Sequence, residues 1–226
     1  MNSANHIKKI KVLFASHSGY PWGGISTDTY SLLNSSLPHK VSLHFVETSP
    51  SHQSVAFSGR LSLINILSSA KSIFDFLKCV FNVQPQIVHI STAYGLSFVK
   101  HSIMVLLARL FNKTIVLQPH CSVSALLSED SKIANKIWRE YVFFVLNCCD
   151  VLAVLSREWN ILSERVNCYL RNVPNGINLD PYKRLAEQRQ QYHDPVNILF
   201  LGHIGKAKGV FDLLEAVTFL KCQVEK

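Results

Sequence analysis

Two places in this 226-residue sequence join a chemically useful residue to a position from which it could act. The first is Gly23-Gly24, which closes the stretch HSGYPWGG and leads into Ser26, Asp28 and a helix carrying Tyr30, Leu32 and Leu33. Free backbone N–H groups at such a helix start can face an anion such as a phosphate. An ordinary tight turn uses the same residues. The second is His120, which the strand Thr114 to Pro119 delivers to the carboxyl end of an open α/β sheet, where such sheets place ligands. Imidazole gives or accepts a hydrogen bond near neutral pH; a loop or core histidine is the other reading of the same residue.

The elements that must hold these residues follow from hydrophobic patterning. Lys8 to Ser16 is an apolar run opened by lysines, the form of a buried parallel strand. Val41 to Glu47 alternates Val41, Leu43 and Phe45 with polar neighbours, and Gln86 to Ser91, Thr114 to Pro119, Val151 to Ser156 and Cys168 to Val173 read as further strands. Between them, helical spacing appears in Leu61 to Phe81 (Leu63, Ile64, Leu67, Ile73, Phe74, Leu77 and Phe81) and in Tyr94 to Phe111. It recurs in Ser131 to Cys149, packed by Ile133, Ile137, Tyr141, Phe144 and Val145, and in the short Arg157 to Arg165. The alternation of strands and helices predicts an α/β fold with a Rossmann-like parallel sheet flanked by helices.

A polar, charge-dense segment, Asp180 to Asp194, then separates this unit from one further apolar strand, Asn197 to Gly202, and one helix, Lys208 to Leu220. The expected domains are therefore residues 1–180, a linker at 181–194 and the start of a second domain at 195–226.

Composition narrows the function classes. Hydrophobic residues make up 48% and charged residues 17%, enough to bury a sizeable core and unlike a disordered chain. No secretory leader and no run of about 18 apolar residues is visible. The six cysteines have neither paired metal spacing nor a secreted-domain pattern, so they read as reduced core thiols of a cytoplasmic protein with no metal site. A formal net charge of +8 points to an anionic partner: phosphate ligands, an anionic membrane surface or nucleic acid. No nucleic-acid-binding signature accompanies it, so no nucleic acid partner is expected. The helices between Arg60 and Lys113 are basic and strongly apolar, with Lys100, Arg109 and Lys113 unmatched by any acid. They are either core-packed crossovers with solvated lysines or a surface that touches anionic lipid. The dinucleotide fingerprint GxGxxG and the P-loop are both missing, which argues against an ordinary dehydrogenase or nucleotidase.

Around the linker the sequence resembles the retaining nucleotide-sugar glycosyltransferases of two facing Rossmann-like domains, the group 1 family of the GT-B fold. VPNGIN (173–178) is similar to that family's Asn-Gly-hydrophobic loop at the end of the first domain. ILFLGHIGKAKGVFDLLEA (198–216) is similar to its hydrophobic strand, Gly-Arg turn and Lys-Gly helix start. The resemblance implies an N-terminal, acceptor-side domain followed by the truncated start of the donor-binding domain. It also implies transfer of a sugar from a nucleotide-diphosphate donor, with no further cofactor, to a glycan or lipid-linked acceptor in surface polysaccharide or glycolipid biosynthesis. His120 then lies beside the transferred sugar as the catalytic residue, although Cys121 stands where the family has Gly or another small residue.

Gly23, Gly24, Asn175, Gly176, His203, Lys208 and Gly209 become the expected substrate-binding residues. In this chemistry fixed cations and helix N-termini stabilise the leaving phosphate, a role for Lys208. His203 replaces the usual Arg and loses its permanent charge and planar fork. The family's later Glu motif lies beyond Lys226, so the chain by itself is expected to be inactive, with a separate chain as one source of the missing domain. A peripheral position on the inner face of the membrane is implied as well. The alternative is a non-catalytic remnant or subunit that binds acceptor, membrane or a partner chain.

Overall fold

Lys11–Ser16 forms β1 in the computed structural model, which describes residues 9–19, 23–48, 62–127, 133–177, 179–180, 182–183, 198–202 and 204–224. Ser42–Glu47 (β2), Ile87–Thr92 (β3), Thr114–Pro119 (β4), Val151–Val154 (β5) and Tyr169–Asn172 (β6) join it. All pairings are parallel, in the order β2-β1-β3-β4-β5-β6. The connections carry α1 (Gly24–Leu33), α2 (Leu37–Lys40), α3 (Leu63–Val83), α4 (Leu96–Leu110), α5 (Val123–Leu127), α6 (Ile133–Asn147) and a 3-10 helix at Arg157–Leu162. The protein is α/β, with a six-stranded all-parallel sheet flanked by helices in a Rossmann-like arrangement.

Strand order dictates which helix covers which face. The β1-to-β2 connection runs one way across the sheet and every later connection runs the other way. Right-handed crossovers therefore put α1 on one face and α3, α4 and α6 on the opposite one. The sense reverses between β1 and β3, which makes their carboxyl ends the topological switch point.

The two faces differ in chemistry. The rows Leu13–Val88–Ile115 and Ala15–Ile90–Leu117–Leu152 are apolar and pack against Phe76, Val80, Phe98, Met104, Val105 and Val142 in one continuous core. Alternation along the strands sends the intervening residues to the other side. There Phe14, His89 and Val116 form one row, and Ser91 and Gln118 the next. The buried side chains of α1 are all polar: Ser26, Asp28 and Thr29. Helix α1 thus meets the sheet through hydrogen bonds, beginning with Ser16 Oγ to Thr29 Oγ1 at 2.6 Å.

Several expectations change. Helix α3 forms, but Leu63, Ile64, Leu67, Phe74 and Phe81 face outward, while Ser72, Phe76 and Val80 face the core. In α6, Ile133, Ile137 and Phe144 are exposed, and Val142, Phe143, Val145 and Leu146 are buried. Both helices carry more apolar residues than one face can hold, so periodicity could not choose the phase. Lys100 and Arg109 are not unmatched: half-buried Lys100 donates to Thr48 O and feels the charge of Glu47, and Arg109 Nη2 lies 3.3 Å from Asp150 Oδ1.

The chain divides into two compact units, Met1–Asn178 and Leu179–Lys226. The second holds a 3-10 turn, Lys206–Lys208, and helix α7, Val210–Val224. The strand expected over Asn197 to Gly202 is not formed at the described residues 198–202. An isolated run has no ladder to take up its backbone groups. Most of the expected linker, 184–194, lies outside the described residues. No helix among the described residues is long and apolar enough to cross a membrane.

Candidate functional site

Polar side chains converge beneath α1, where β1, β3 and β4 end. His89 and Gln118 interrupt otherwise apolar strands on the α1 face, and each is held by the other: His89 Nε2 to Gln118 Oε1 is 2.9 Å. Gln118 Nε2 then donates to Asp28 Oδ2 of α1 at 3.2 Å. Two residues past Gln118, on the same face, stands His120. Its backbone N–H is fixed by Thr92 O at 2.8 Å. Its side chain is 3% exposed, with Nε2 3.8 Å from the same Asp28 oxygen.

That last separation is too long for a hydrogen bond. Neither ring nitrogen of His120 has a partner among the described residues, nor has Ser91 Oγ, opposite Gln118 in the sheet. Most buried polar atoms are paired, because leaving a donor or acceptor unmet costs about 1–3 kcal/mol. Unmet polar groups at the carboxyl ends of parallel strands near a switch point mark this place as the candidate ligand site.

Burial sets the charge state. It pushes His89 down to about 4, opposed by the Gln118 hydrogen bond. His120 is likewise pushed down to about 4 by burial, with the neighbouring His89 adding to the effect. Both imidazoles are neutral at pH 7. Burial raises Asp28, and the Gln118 donor partly restores it. The adjacent Cys121 thiol is raised to about 11 by burial and then by Glu158, so it is not a nucleophile at neutral pH.

Further polar groups lie at the same end of the sheet. Glu47 Oε2 accepts from Ser18 N at 3.0 Å, and Glu47 Oε1 lies 3.3 Å from His17 Nδ1. Lys100, lowered to about 8 by burial against the opposing pull of Glu47, reaches Thr48 O. His101 Nδ1 meets Thr92 Oγ1 at 3.0 Å, and its Nε2 is unmet among the described residues.

The structure brings some of the expected site residues together and leaves others apart. Gly23 caps α1 and Gly24 begins it, on the element that carries Asp28. Both are exposed, and a Cβ at either would meet nothing within 4 Å. The open first turn of α1 is therefore accessible. Asn175 and Gly176 are exposed in irregular backbone after β6, two strands from β4. Lys208 and Gly209 belong to the second unit. Lys208 ends the 3-10 turn, and Gly209 at φ 74 makes the left-handed step into α7 that favours glycine. His203 lies outside the described residues. Among the described residues, no three His, Cys, Asp or Glu side chains are grouped to hold a metal ion.

Asp28, His89 and Gln118 escaped sequence reasoning as site residues. For His89 and Gln118 the only signal was a polar residue inside the apolar strands QIVHIS and TIVLQP, and Asp28 showed only as part of the helix start after Gly23-Gly24. No protein-family model matches the chain, and no curated protein matches it at a significant level.

Proposed function

We propose that the chain is the acceptor-side part of a nucleotide-sugar glycosyltransferase of the two-domain GT-B kind, acting in surface polysaccharide or glycolipid assembly. The observation that carries the reading is His120: its side chain is buried, neutral and without a partner among the described residues at the carboxyl end of β4, 3.8 Å from Asp28 of α1. A neutral imidazole there can hydrogen-bond a sugar hydroxyl. Lys208, at the entry to α7, suits a β-phosphate contact from a donor domain, with His203 and Gly209 beside it in sequence. Gly24 supplies an N–H group toward phosphate or acceptor, while that of Gly23 donates to Ser26 Oγ at 2.7 Å and holds the helix start, and Asn175 and Gly176 lie on the loop that leaves the first unit.

The test is transfer from radiolabelled UDP- and GDP-sugars to extracted membranes, scored together with binding. Residues 1–226 should bind donor or acceptor but release nucleotide no faster than background. No strand is formed in the second unit among its described residues, so nothing there holds Lys208 to the tolerance catalysis needs. Brisk acceptor-dependent turnover would show that this unit suffices as it is. Failure to bind any donor or acceptor would remove the reading.

A non-catalytic binding role has one observation in its favour. Leu63, Ile64, Leu67 and Phe74 form an outward apolar stripe on α3 with Lys71 and Lys78 among them, which fits a peripheral contact with an anionic membrane surface. Sedimentation with anionic against neutral vesicles separates this from catalysis; equal binding to both would remove the electrostatic part.

A further inference from the structure

The hydrogen-bond chain under α1 has a direction. A carboxylate only accepts, so the Gln118 amide must turn its Nε2 to Asp28 and its Oε1 to His89. His89 therefore carries its proton on Nε2 and donates along the same line. Protons point from His89 through Gln118 to Asp28, and the chain ends on one carboxylate oxygen, Oδ2. The ring atom of His120 nearest that oxygen is Nε2, at 3.8 Å.

We propose that Asp28 is the positioning residue of this site: the negative charge of its carboxylate, 3.8 Å from the ring, favours the Nε2–H tautomer of His120, leaving Nδ1 as a lone-pair acceptor for a ligand hydroxyl. The opposite tautomer would aim the Nε2 lone pair at a carboxylate oxygen and place the only N–H on a buried Nδ1 with no acceptor among the described residues. Two lone pairs facing each other repel, and a buried unmet N–H adds a desolvation cost. An Nδ1 lone pair suits a donor, and a sugar hydroxyl is one. The ligand class rests on the glycosyltransferase reading, whereas the tautomer does not.

The experiment is a long-range 1H–15N correlation of the histidine rings in the full chain, with His120 assigned by the loss of its signals in His120→Ala. The expected result is a pyrrole-type Nε2 and a pyridine-type Nδ1. In Asp28→Ala the splitting between the two nitrogens should collapse toward the averaged values of a tautomer mixture. Asp28→Asn, whose amide oxygen can still accept, should retain most of the splitting. Wild-type protein showing Nδ1–H, or an even mixture, overturns the proposal, and that reading needs no variant to fold. An unchanged pattern in a folded Asp28→Ala overturns it as well. A correct tautomer in a chain that binds no sugar donor or acceptor would instead count against the glycosyltransferase reading alone.

Discussion

Gln118 and His120 stand two residues apart on the same face, both with buried side chains, and should respond oppositely to loss of polarity. Replacing each by leucine keeps roughly the same volume, so the difference isolates hydrogen bonding. Gln118→Leu leaves the His89 Nε2–H without an acceptor and takes one donor from Asp28, at bonds of 2.9 and 3.2 Å. At about 1–3 kcal/mol per buried group left unmet, the expected loss is about 2–4 kcal/mol. His120→Leu removes two nitrogens that have no partners among the described residues, while its backbone N–H keeps Thr92 O. Its effect should lie within about 1 kcal/mol of zero. With melting temperature moving about 2–4 °C per kcal/mol in a chain of this size, Gln118→Leu should lower it by about 4–16 °C and His120→Leu by less than about 4 °C. Calorimetry with matched urea melts measures both. Equal losses, or a larger one for His120→Leu, would refute the division into a structural Gln118 and an unpartnered His120.

The phase of α3 can be tested the same way: Phe76→Ala should cost about 3–5 kcal/mol and Phe74→Ala less than about 0.5, the former filling the core and the latter facing out. Stability should fall on acidification. His89 and His120 titrate at about 4 in the fold against about 6.5 unfolded, so between those values the unfolded chain binds more protons. Their stabilisation is present above pH 6.5 and lost toward pH 4, up to about 3 kcal/mol each. His101, also lowered, adds in the same sense, and Asp28, raised from 3.8, works in the opposite sense above that pH. His120→Leu should flatten the slope of urea midpoint against pH between 6.5 and 4.5; an unchanged slope would show that His120 is not desolvated.

The sheet was legible because parallel strands buried on both faces read as short apolar runs, and all six appear within a few residues of their expected ends. The side of each helix was not, because α3 and α6 are apolar nearly all round. What decides is that Phe76 and Val80 share the turn facing the sheet, a fact of three dimensions. His120 could be placed at a strand end from spacing alone. Its partners could not, since Asp28 and Gln118 are 90 residues apart in the chain and meet only because α1 crosses the face opposite to α3, α4 and α6. The expected strand before α7 shows the reverse limit: an apolar run of the right length and ending is not a strand until a neighbour receives its hydrogen bonds.

If the glycosyltransferase reading holds, His120 contacts a ligand of sugar transfer. The most direct measurement follows the His120 ring resonances of residues 1–226 during titration with UDP- and GDP-sugars and with detergent-extracted membrane glycolipid. A saturable shift from at least one of these, centred on His120, Thr92, Gly23 and Gly24, is predicted. Affinity should drop about three- to tenfold in His120→Leu, the worth of one neutral hydrogen bond. No saturable shift across the panel, or binding of equal strength in His120→Leu, would contradict it.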